Sequence, residues 1–483
     1  MTFLDQPANL TAAFARAAAQ HPARDAIVAA DITLTYDKLW LIVQSFALRM
    51  QSEGIDRKAV VAVKSTDMIA SVAVMFASAA IGSGFVVWED RLLSDGVVRP
   101  THVLRSPDVA APDQIASTLM DPSWSPLNFP VPKDAASHFP GYDKAETPWW
   151  YLHTSGTTGS PKYLALSQRM ALDRSRAVSG DFQAGETRFT SLFPCTARPF
   201  FVRAMAALTL GSTIVDTIDP AFMQAQKVTL VCGSPRQSKL WLDSGKLSSR
   251  LLLLQISGAR FSQELAAEML GAFQKVEDVY GSSETNKTYV NAQTLDEGLV
   301  VTRGCAQDST IQIRHPDGSL CGSDEVGEVF VRNGYMIAGY IDAPDATKRA
   351  FHDGWFRPGD MGHWDTNGVL CIDGRVDELI NLDGLKIDPV AVDEALRVPG
   401  VRLAACFRDP DGAPRLLAFV ELETSQDPEP LVRAAMARCS KLLSPSRTPA
   451  LIYVVPQIPV THDGVPRRRE CERLARDMPK QGL

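Results

Sequence analysis

The segment Tyr151–Tyr163 (Tyr-Leu-His-Thr-Ser-Gly-Thr-Thr-Gly-Ser-Pro-Lys-Tyr) has the residue types of a phosphate-binding loop. Its small hydroxyl residues and glycines allow a tight turn that presents N–H groups and hydroxyls to an anion. Lys162 adds a cation at the far end, and Pro161 restricts the backbone before it. The candidate phosphate ligands are Thr154, Ser155, Gly156, Thr157, Thr158, Gly159 and Lys162. The apolar run 148–153 predicts a strand leading into the loop.

The spacing and composition of this loop bear on two other interpretations. A Walker A loop needs four residues between its glycines, followed by Gly-Lys-Ser or Gly-Lys-Thr. Here two residues separate Gly156 from Gly159, and Tyr163 follows Lys162, so that class is excluded. A surface loop rich in Ser, Thr and Gly that binds no ligand is the alternative that composition alone leaves open.

Two further motifs contain groups that nucleotide sites use. In Val279–Glu284 (Val-Tyr-Gly-Ser-Ser-Glu), a ring, a glycine and an acid share one loop, although a turn followed by a helix-capping acid would explain the motif equally well. Asp360 ends the segment Gly-Trp-Phe-Arg-Pro-Gly-Asp, and Arg375 follows Asp-Gly. A carboxylate suits ribose hydroxyls because it accepts two hydrogen bonds. As isolated residues, Asp360 would be a turn residue and Arg375 a surface cation.

The run from Thr154 to Lys162 matches the signature Thr-Ser-Gly-Thr-Thr-Gly-x-Pro-Lys of the AMP-forming adenylate synthetases. That superfamily contains acyl- and aryl-CoA ligases, carrier-protein-charging adenylation domains and luciferases. The chain resembles it over essentially its whole length. Two positions depart: Tyr163 stands where the family usually has Gly, and Gln168 where it often has His. Both follow the loop, so they bear on substrate class more than on nucleotide binding.

The resemblance implies roles for the motifs. Tyr280 would stack on adenine, Gly281 would permit a close approach, and Glu284 would bind Mg²⁺ as a hard oxygen ligand. Asp360 would bind the ribose hydroxyls, and Arg375 ribose and phosphate. Their order and spacing after the Lys162 motif favour these roles over the isolated alternatives. The other residues assigned to the nucleotide site are Ser257, Gly258, Ala259, Ser282 and Ser283, the last replacing the usual Thr.

The resemblance also implies a movable tail domain. Asp377 stands where the family has the hinge about which this domain rotates between two half-reactions. Gly384 and Lys386 match the glycine-containing loop that faces the thiol tunnel. A hinge needs one or two residues that absorb a large dihedral change, and an aspartate on a linker can do so. An ordinary interdomain turn at Asp377 is the alternative.

The tail departs from the family pattern Pro-x-Thr-x-x-Gly-Lys-x-x-Arg. Segment 459–468 keeps the Pro, Thr, Gly and Arg but has Val465 at the lysine, which in the family bridges the carboxylate and the nucleotide during adenylation. Arg467 is the candidate replacement, although a planar guanidinium is not equivalent to a compact ammonium. Either the first half-reaction is slow or differently assisted, or the chain accepts a preformed acyl adenylate.

The candidate residue for the acid substrate is Arg198. Counted back from Gly211, it lies where amino-acid-activating relatives carry an Asp for the substrate ammonium. An arginine there argues against an α-amino acid and allows an acid with a second anionic group. An ordinary ion-paired arginine is the alternative.

Composition excludes several classes of protein. The 483 residues are 45% hydrophobic and 22% charged, as in a folded globular protein, and no apolar run is long enough to span a membrane. The net charge of −7 argues against a nucleic-acid binder. The eight cysteines are scattered, and the first residues have no secretory pattern, so a cytoplasmic protein is expected.

Alternating strand and helix patterns predict an α/β fold. We expect an N-terminal domain at 1–375, built from two α/β sheet subdomains and a small β subdomain, and a small mobile α+β domain at 376–483. One helix is predicted behind an Asn9 or Thr11 cap, another behind the cap Asp37, and a third from Phe201.

The predicted activity is ATP-dependent conversion of a small carboxylic acid to acyl-AMP with release of pyrophosphate, followed by transfer to a thiol. The thiol belongs to CoA or to the phosphopantetheine of an acyl carrier protein. Lys162, Glu284, Arg375 and Arg467 are the predicted catalytic residues, with ATP and Mg²⁺ as cosubstrate and metal. Two alternatives stay open: a thioester-forming partner fed with acyl-AMP, and a nucleotide-binding protein on a retired catalytic scaffold.

Overall fold

The computed structural model describes residues 9–124, 145–154, 161–178, 182–183, 185–245, 247–259, 261–376, 378–383, 385–423, 427–460 and 466–478, with Lys386 by its backbone alone. Two compact units are present. The first comprises Met1–Gln312, Phe330–Pro358 and Thr366–Leu370, and the second comprises Ile313–Val329, Gly359–Asp365 and Cys371–Leu483. The boundary proposed between residues 375 and 376 stays a prediction.

The first unit has these described helices: α1 (Leu10–Gln20), α2 (Tyr36–Ser52), α3 (Met68–Ile81), α4 (Arg91–Asp95), α5 (Gln168–Val178), α6 (Arg198–Thr209), α7 (Pro220–Ala225), α8 (Pro235–Ser244), α9 (Gln263–Ala272) and α10 (Pro344–Ala350). Its strands form two large sheets. They are β1 (Asp25–Val28), β2 (Thr33–Thr35), β3 (Val60–Lys64), β4 (Gly84–Val87), β5 (His102–Arg105), β6 (Ser117–Leu119), β7 (Pro148–His153), β8 (Tyr163–Ser167), β9 (Arg188–Ser191), β10 (Thr213–Val215), β11 (Leu230–Gly233), β12 (Leu251–Ser257), β13 (Phe273–Ser282), β14 (Asn286–Asp296) and β15 (Leu299–Ala306).

The six-stranded sheet has the order β6-β5-β3-β4-β7-β8. Strands β3 to β7 are parallel and β8 is antiparallel to β7, as a hairpin requires. Strand β3 reads Val-Val-Ala-Val-Lys, a nearly continuous apolar run typical of a strand covered on both faces. Helix α3, which follows β3, is capped at both ends. Oδ1 of Asp67 accepts a hydrogen bond from the Ala70 N–H at its start, and Gly82, with φ 78°, ends it.

The nine-stranded sheet has the order β15-β14-β13-β12-β11-β9-β10-β1-β2. Strands β9 to β13 run parallel, and the two hairpins at its ends add antiparallel strands. Helices α1, α2, α3, α5 and α6 share one buried core with strands of both sheets. Helices α8 and α9 cover the opposite face of the nine-stranded sheet. The carboxyl ends of the parallel strands therefore carry the loops in which ligands of α/β sheets bind.

Two of the three predicted helix starts need correction. Asn9 caps α1 as expected, its side chain accepting from the Ala12 N–H at 2.8 Å. Helix α2 begins at Tyr36 after the N-cap Thr35, so Asp37 lies in its first turn, where its charge favours the helix N-terminus. Helix α6 begins at Arg198, three residues before the predicted Phe201. The proline that follows Arg198 is tolerated because the first turn leaves its N–H groups unpaired.

The chain between the two large sheets and the tail forms short strands, which are β16 (Ser309–Arg314), β17 (Gly327–Asn333), β18 (Phe351–His352), β19 (Trp355–Phe356), β20 (Asp360–Trp364) and β21 (Leu370–Arg375). The tail adds β22 (Ile380–Leu382), β23 (Leu385–Ile387), α11 (Pro389–Leu396), β24 (Val401–Arg408), β25 (Leu416–Leu422), α12 (Pro428–Leu442), β26 (Leu451–Val454) and α13 (Arg468–Ala475). A three-stranded sheet, β24-β25-β26, packs against α11 and α12 on one face and α13 on the other. The predicted α/β class and small α+β tail are confirmed.

No helix in the described ranges is both long enough and apolar enough to cross a membrane. The longest described helix, α2, has 17 residues and presents exposed polar side chains.

Candidate active site

The two described ends of the predicted phosphate loop form the base of a hairpin. His153, the last residue of β7, pairs with Tyr163, the first of β8, and the Thr154 N–H donates to the Lys162 carbonyl at 2.9 Å. This pairing at the hairpin base fixes the point from which Lys162 extends. Candidates Ser155, Gly156, Thr157, Thr158 and Gly159 lie outside the described residues.

A polar cluster holds this hairpin base against α4. Nη2 of Arg91 donates to Nδ1 of His153 at 2.6 Å, and Nε2 of His153 lies 2.5 Å from Oε1 of Glu89. Because an arginine can only donate, Nε2 carries the proton shared with Glu89. The buried Tyr163 hydroxyl donates to Oδ2 of Asp95 at 2.7 Å. Burial and the Asp95 contact raise the pKa of Tyr163. Its departure from the family glycine thus has a structural cause.

Glu284 and Lys162 meet at Tyr340. The Tyr340 hydroxyl donates to Oε1 of Glu284 at 2.7 Å, and Nζ of Lys162 lies 5.2 Å from the centroid of the Tyr340 ring. Glu284 is 7% exposed. The acid follows β13 in a turn that leads into strand β14, so it caps no helix, and that alternative is wrong. The fold therefore brings the cation of one motif and the acid of another to one tyrosine.

Arg174 fixes the turn that carries Glu284. Its guanidinium, 1% exposed, donates to the carbonyl oxygens of Ser283 and Glu284 at 2.8 Å and of Tyr335 at 3.0 Å. Burial lowers the pKa of Arg174 to about 9, a nearby arginine adds to this, and the Glu284 carboxylate opposes it. One signal was available for this residue, which is a charged side chain on the buried face of α5.

Arg198 lies beside the same turn. Its Nη2 donates to the Ser282 carbonyl at 3.2 Å, and its Nε is buried without a hydrogen-bond partner among the described residues. Burial lowers the pKa of Arg198 to about 10, opposed by Glu284 and assisted by Arg203. The predicted substrate residue Arg198 thus contacts Ser282, which lies two residues before the predicted metal ligand Glu284.

The predicted adenine residues lie at one edge of the nine-stranded sheet. Ser257 at the end of β12 pairs with Val279 of β13, which places Gly258 and Ala259 next to Tyr280. Gly281 is required by the backbone, since a Cβ there would lie 2.1 Å from the carbonyl oxygen of Asn286. The hydroxyl of Ser282 accepts from the N–H groups of Glu284 and Thr285 at 3.2 and 3.3 Å, which closes the turn.

Asp278 is a site-edge residue that the motif analysis missed. It lies two residues before Tyr280 on β13, so the alternation of the strand places both side chains on one face. Burial raises the pKa of Asp278 to about 7, and no other cause acts on it. The available signal was an acid directly before the motif Val279–Glu284.

In the second unit, Asp360 and Arg375 form an ion pair with each other. Nη1 of Arg375 donates to Oδ1 of Asp360 at 3.0 Å, and Asp360 is 8% exposed. Arg375 is only partly exposed, so neither residue is an isolated surface group. Gly359 precedes Asp360 with φ 81°, a conformation that favours glycine.

The tail residues divide into described and undescribed ones. Arg467 is exposed, with Nη1 3.9 Å from Oε2 of Glu470. Arg468 is committed elsewhere: it forms two hydrogen bonds with the buried Asp393, at 3.2 and 2.7 Å. Arg467 is therefore the better placed of the two to contact a ligand. Candidates Asp377 and Gly384 and the substituted position Val465 lie outside the described residues, as does the side chain of Lys386, whose backbone is in β23.

Comparison with known proteins identifies the family. A family model described as AMP-binding enzyme matches residues 14–341. The chain is 30% identical over 390 residues to the sulfoacetate–CoA ligase of Cupriavidus necator, covering 76% of this chain and 74% of that protein. The chain belongs to the AMP-binding enzyme family. It is also 26% identical over 342 residues to the oxalate–CoA ligase of Arabidopsis thaliana, covering 66% of each protein.

The fold agrees with this family. The o-succinylbenzoate CoA synthetase of Bacillus subtilis, solved with its acyl-adenylate intermediate, superimposes with a TM-score of 0.81 at 17% identity, covering 98% of this chain and 99% of that one. The predicted resemblance and the predicted enzyme class, an AMP-forming acid–thiol ligase, are confirmed at the level of the family. The roles of individual residues stay predictions.

Proposed function

We propose that this AMP-binding enzyme joins a small carboxylic acid to a thiol in two steps. A carboxylate oxygen attacks the α-phosphorus of ATP, an acyl-AMP forms, and pyrophosphate leaves. The sulfur of a thiol then attacks the acyl carbon, the thiol proton is lost, and AMP leaves. The first step is needed because a carboxylate is a poor electrophile, and AMP is a good leaving group.

The observation that carries this proposal is the arrangement around Tyr340. Lys162 extends from the phosphate-loop hairpin toward one face of its ring, while its hydroxyl orients the Glu284 carboxylate. Such an arrangement suits a metal–triphosphate, because a cation and a hard oxygen ligand are both within reach of one polyphosphate chain.

Glu284 fits the implied Mg²⁺. Its carboxylate is buried, and Tyr340 engages Oε1, so the second oxygen can serve as a ligand. When bound, the metal neutralises charge on the phosphates. Arg174 contributes by fixing the backbone of the turn, and Lys162 by neutralising the departing pyrophosphate.

Tyr280 would stack on adenine beside Ser257, Gly258 and Ala259, with Gly281, Ser282 and Ser283 completing the turn. The Asp360–Arg375 pair would take the ribose and a phosphate. These assignments are supported by the shared sheet edge of the first group and by the hydrogen bond of the second. Asp377, Gly384 and Lys386 remain the proposed hinge and tunnel residues.

The names of the relatives support CoA as the acceptor, since both are CoA ligases. A carrier-protein phosphopantetheine presents the same thiol arm and stays an alternative. All eight cysteines are unbridged, which supports a reducing compartment such as the cytoplasm.

A second candidate function follows from Val465. Without a cation at this position, a chain fed with preformed acyl-AMP would still form the thioester. Arg467 favours the complete reaction, because it is an exposed cation two residues away with one loose ion pair. A retired scaffold would bind AMP without either step.

The experiment is acid-dependent ATP/pyrophosphate exchange with pooled short carboxylic acids, comparing wild type, Val465→Lys and Arg467→Gln. We expect exchange by the wild type and loss with Arg467→Gln. Exchange by Val465→Lys alone would overturn the complete reaction in favour of the second candidate, which thioester formation from synthetic acyl-AMP would then establish. AMP binding without exchange or thioester in any variant would indicate the retired scaffold.

A further inference from the structure

Arg198 is a partly buried cation that forms no ion pair with the described residues. We propose that the acid substrate carries a second anionic group, a carboxylate or a sulfonate, and that the guanidinium of Arg198 binds it. The inference rests on the proposed function and specifies its substrate class.

The hydrogen bonds of Arg198 are the first observation. One carbonyl, that of Ser282, accepts from Nη2 at 3.2 Å. Nε is buried without a partner, and no carboxylate of the described ranges lies within ion-pair distance. A buried cation without a counter-ion is costly, and a protein retains one where a ligand supplies the anion. Glu284 lies near enough to favour the charged form but forms no direct contact.

The two neighbouring arginines, Arg174 and Arg203, form more hydrogen bonds within the protein than Arg198 does. Arg174 donates to three carbonyl groups, and Arg203 donates to Oε1 of Gln255 at 3.1 Å and to the Pro199 carbonyl at 3.3 Å. These two serve as structural cross-links within the fold. Arg198 has one hydrogen bond to the described residues, so more of its donors are left for a ligand.

The charges around this place also favour an anion. The charge of Arg198 helps to lower the pKa of Arg174, and the charge of Arg203 helps to lower the pKa of Arg198. The other buried acid nearby, Glu277, is occupied by Gln255 at 2.9 Å and Lys275 at 2.5 Å. If Glu284 is assigned to Mg²⁺, the arginines lose its charge, and a substrate anion would restore the balance.

Arg198 lies close to the proposed metal ligand. Its guanidinium contacts the carbonyl of Ser282, two residues from Glu284. Since one residue spans at most about 3.5 Å, the backbone of Glu284 lies within about 7 Å of this contact. Short dianions are therefore the first acids to test.

The guanidinium of Arg198 favours a charged second group on the acid over an uncharged one. Its planar fork matches two oxygen atoms of a carboxylate or sulfonate, whereas an amide of the same size offers one acceptor and no charge. The distinguishing comparison is thus between a dianion and its uncharged isostere.

The test is calorimetric binding to the full chain with Mg²⁺ and α,β-methylene-ATP, which does not depend on turnover. Malonate is compared with malonamate, and sulfoacetate with sulfamoylacetate. We expect at least one dianion to bind about 100-fold more tightly than its isostere, and the better dianion identifies carboxylate or sulfonate. Arg198→Gln should remove this preference while AMP binding persists.

Arg236→Gln is the matched control, since it removes an exposed arginine from α8 and should leave the preference unchanged. Equal binding of dianion and isostere by the wild type, or the same preference in Arg198→Gln, would overturn the proposal, as would failure of every short dianion to bind a protein that binds AMP. The exchange and thioester assays test the proposed function separately, so a failure of one is distinguishable from a failure of the other.

Discussion

The Tyr340 hydroxyl donates a hydrogen bond to Oε1 of Glu284 across a sequence separation of 56 residues. Both side chains are buried, which restricts the rotamers that each can adopt. The same tyrosine presents its ring to Lys162. One side chain outside every recognised motif therefore orients the predicted metal ligand and supports the predicted phosphate cation.

Removing this hydroxyl should weaken metal binding. Tyr340→Phe keeps the ring for Lys162 but leaves the Glu284 carboxylate without its donor. Residues that orient a metal ligand typically change metal affinity by about 10-fold or more when lost. We expect the Mg²⁺ concentration for half-maximal ATP binding to rise about 10-fold. Titration of Mg²⁺ at fixed ATP measures this.

Tyr335→Phe is the matched control for that variant, because its hydroxyl makes only a long contact, 3.4 Å, to the exposed Asp308. Its Mg²⁺ dependence should equal that of the wild type. If Tyr340→Phe also shows the wild-type dependence, Glu284 is oriented by other groups and the role given to Tyr340 is wrong.

Arg174 should contribute mainly to stability. Its fork reaches three carbonyl groups at once, and a lysine ammonium is a point charge that cannot. We expect Arg174→Lys to lower the free energy of unfolding by about 2–4 kcal/mol, since buried carbonyls lose their donors. Urea unfolding measures it. Arg169→Lys, on the exposed face of the same helix, should cost less than about 1 kcal/mol, and equal losses would contradict the cross-link.

The features that could be predicted from the sequence are those that depend on local residue patterns. Alternating strands and helices indicated two α/β sheets, and the loop from Thr154 to Lys162 indicated a phosphate site, because both depend on neighbouring residues. The apolar pattern predicts a start of α6 at Phe201, whereas the helix begins at Arg198 with a proline in its first turn. A proline is tolerated there, and Arg198 therefore lies at the helix N-terminus beside the turn of Ser282.

Contacts between distant segments could not be predicted in this way. Tyr340 and Arg174 reach the turn of Glu284 from elements 56 and 110 residues away, and no periodicity encodes such a meeting. The replacement of the family glycine by Tyr163 is likewise explained only by a distant contact, the hydrogen bond from its hydroxyl to Asp95. A motif names the ligands, but the residues that orient them come from tertiary packing.

Restoring the family residue at position 163 should damage this protein. The Tyr163 ring fills a buried cluster with Val86, Trp88 and Val103, so Tyr163→Gly leaves a cavity. We expect a loss of about 3–5 kcal/mol in the free energy of unfolding. Tyr163→Phe keeps the ring and loses only the Asp95 hydrogen bond, for about 1–2 kcal/mol. Guanidinium unfolding of both variants gives the comparison, and a glycine variant as stable as the wild type would show that the ring is dispensable.

Asp278 should make stability depend on pH. Burial raises its pKa from 3.8 to about 7, so between these values the folded chain holds a proton that the unfolded chain has lost. Its contribution to the free energy of unfolding therefore falls as pH rises from about 4 to 7, and the full cost is present above pH 7. Asp278→Asn removes this cost. We expect the variant to equal the wild type near pH 4 and to exceed it by about 1–4 kcal/mol at pH 8. Thermal unfolding from pH 4 to 8 measures the difference, with the exposed Asp296→Asn as control; a difference independent of pH would mean that the carboxyl ionises normally.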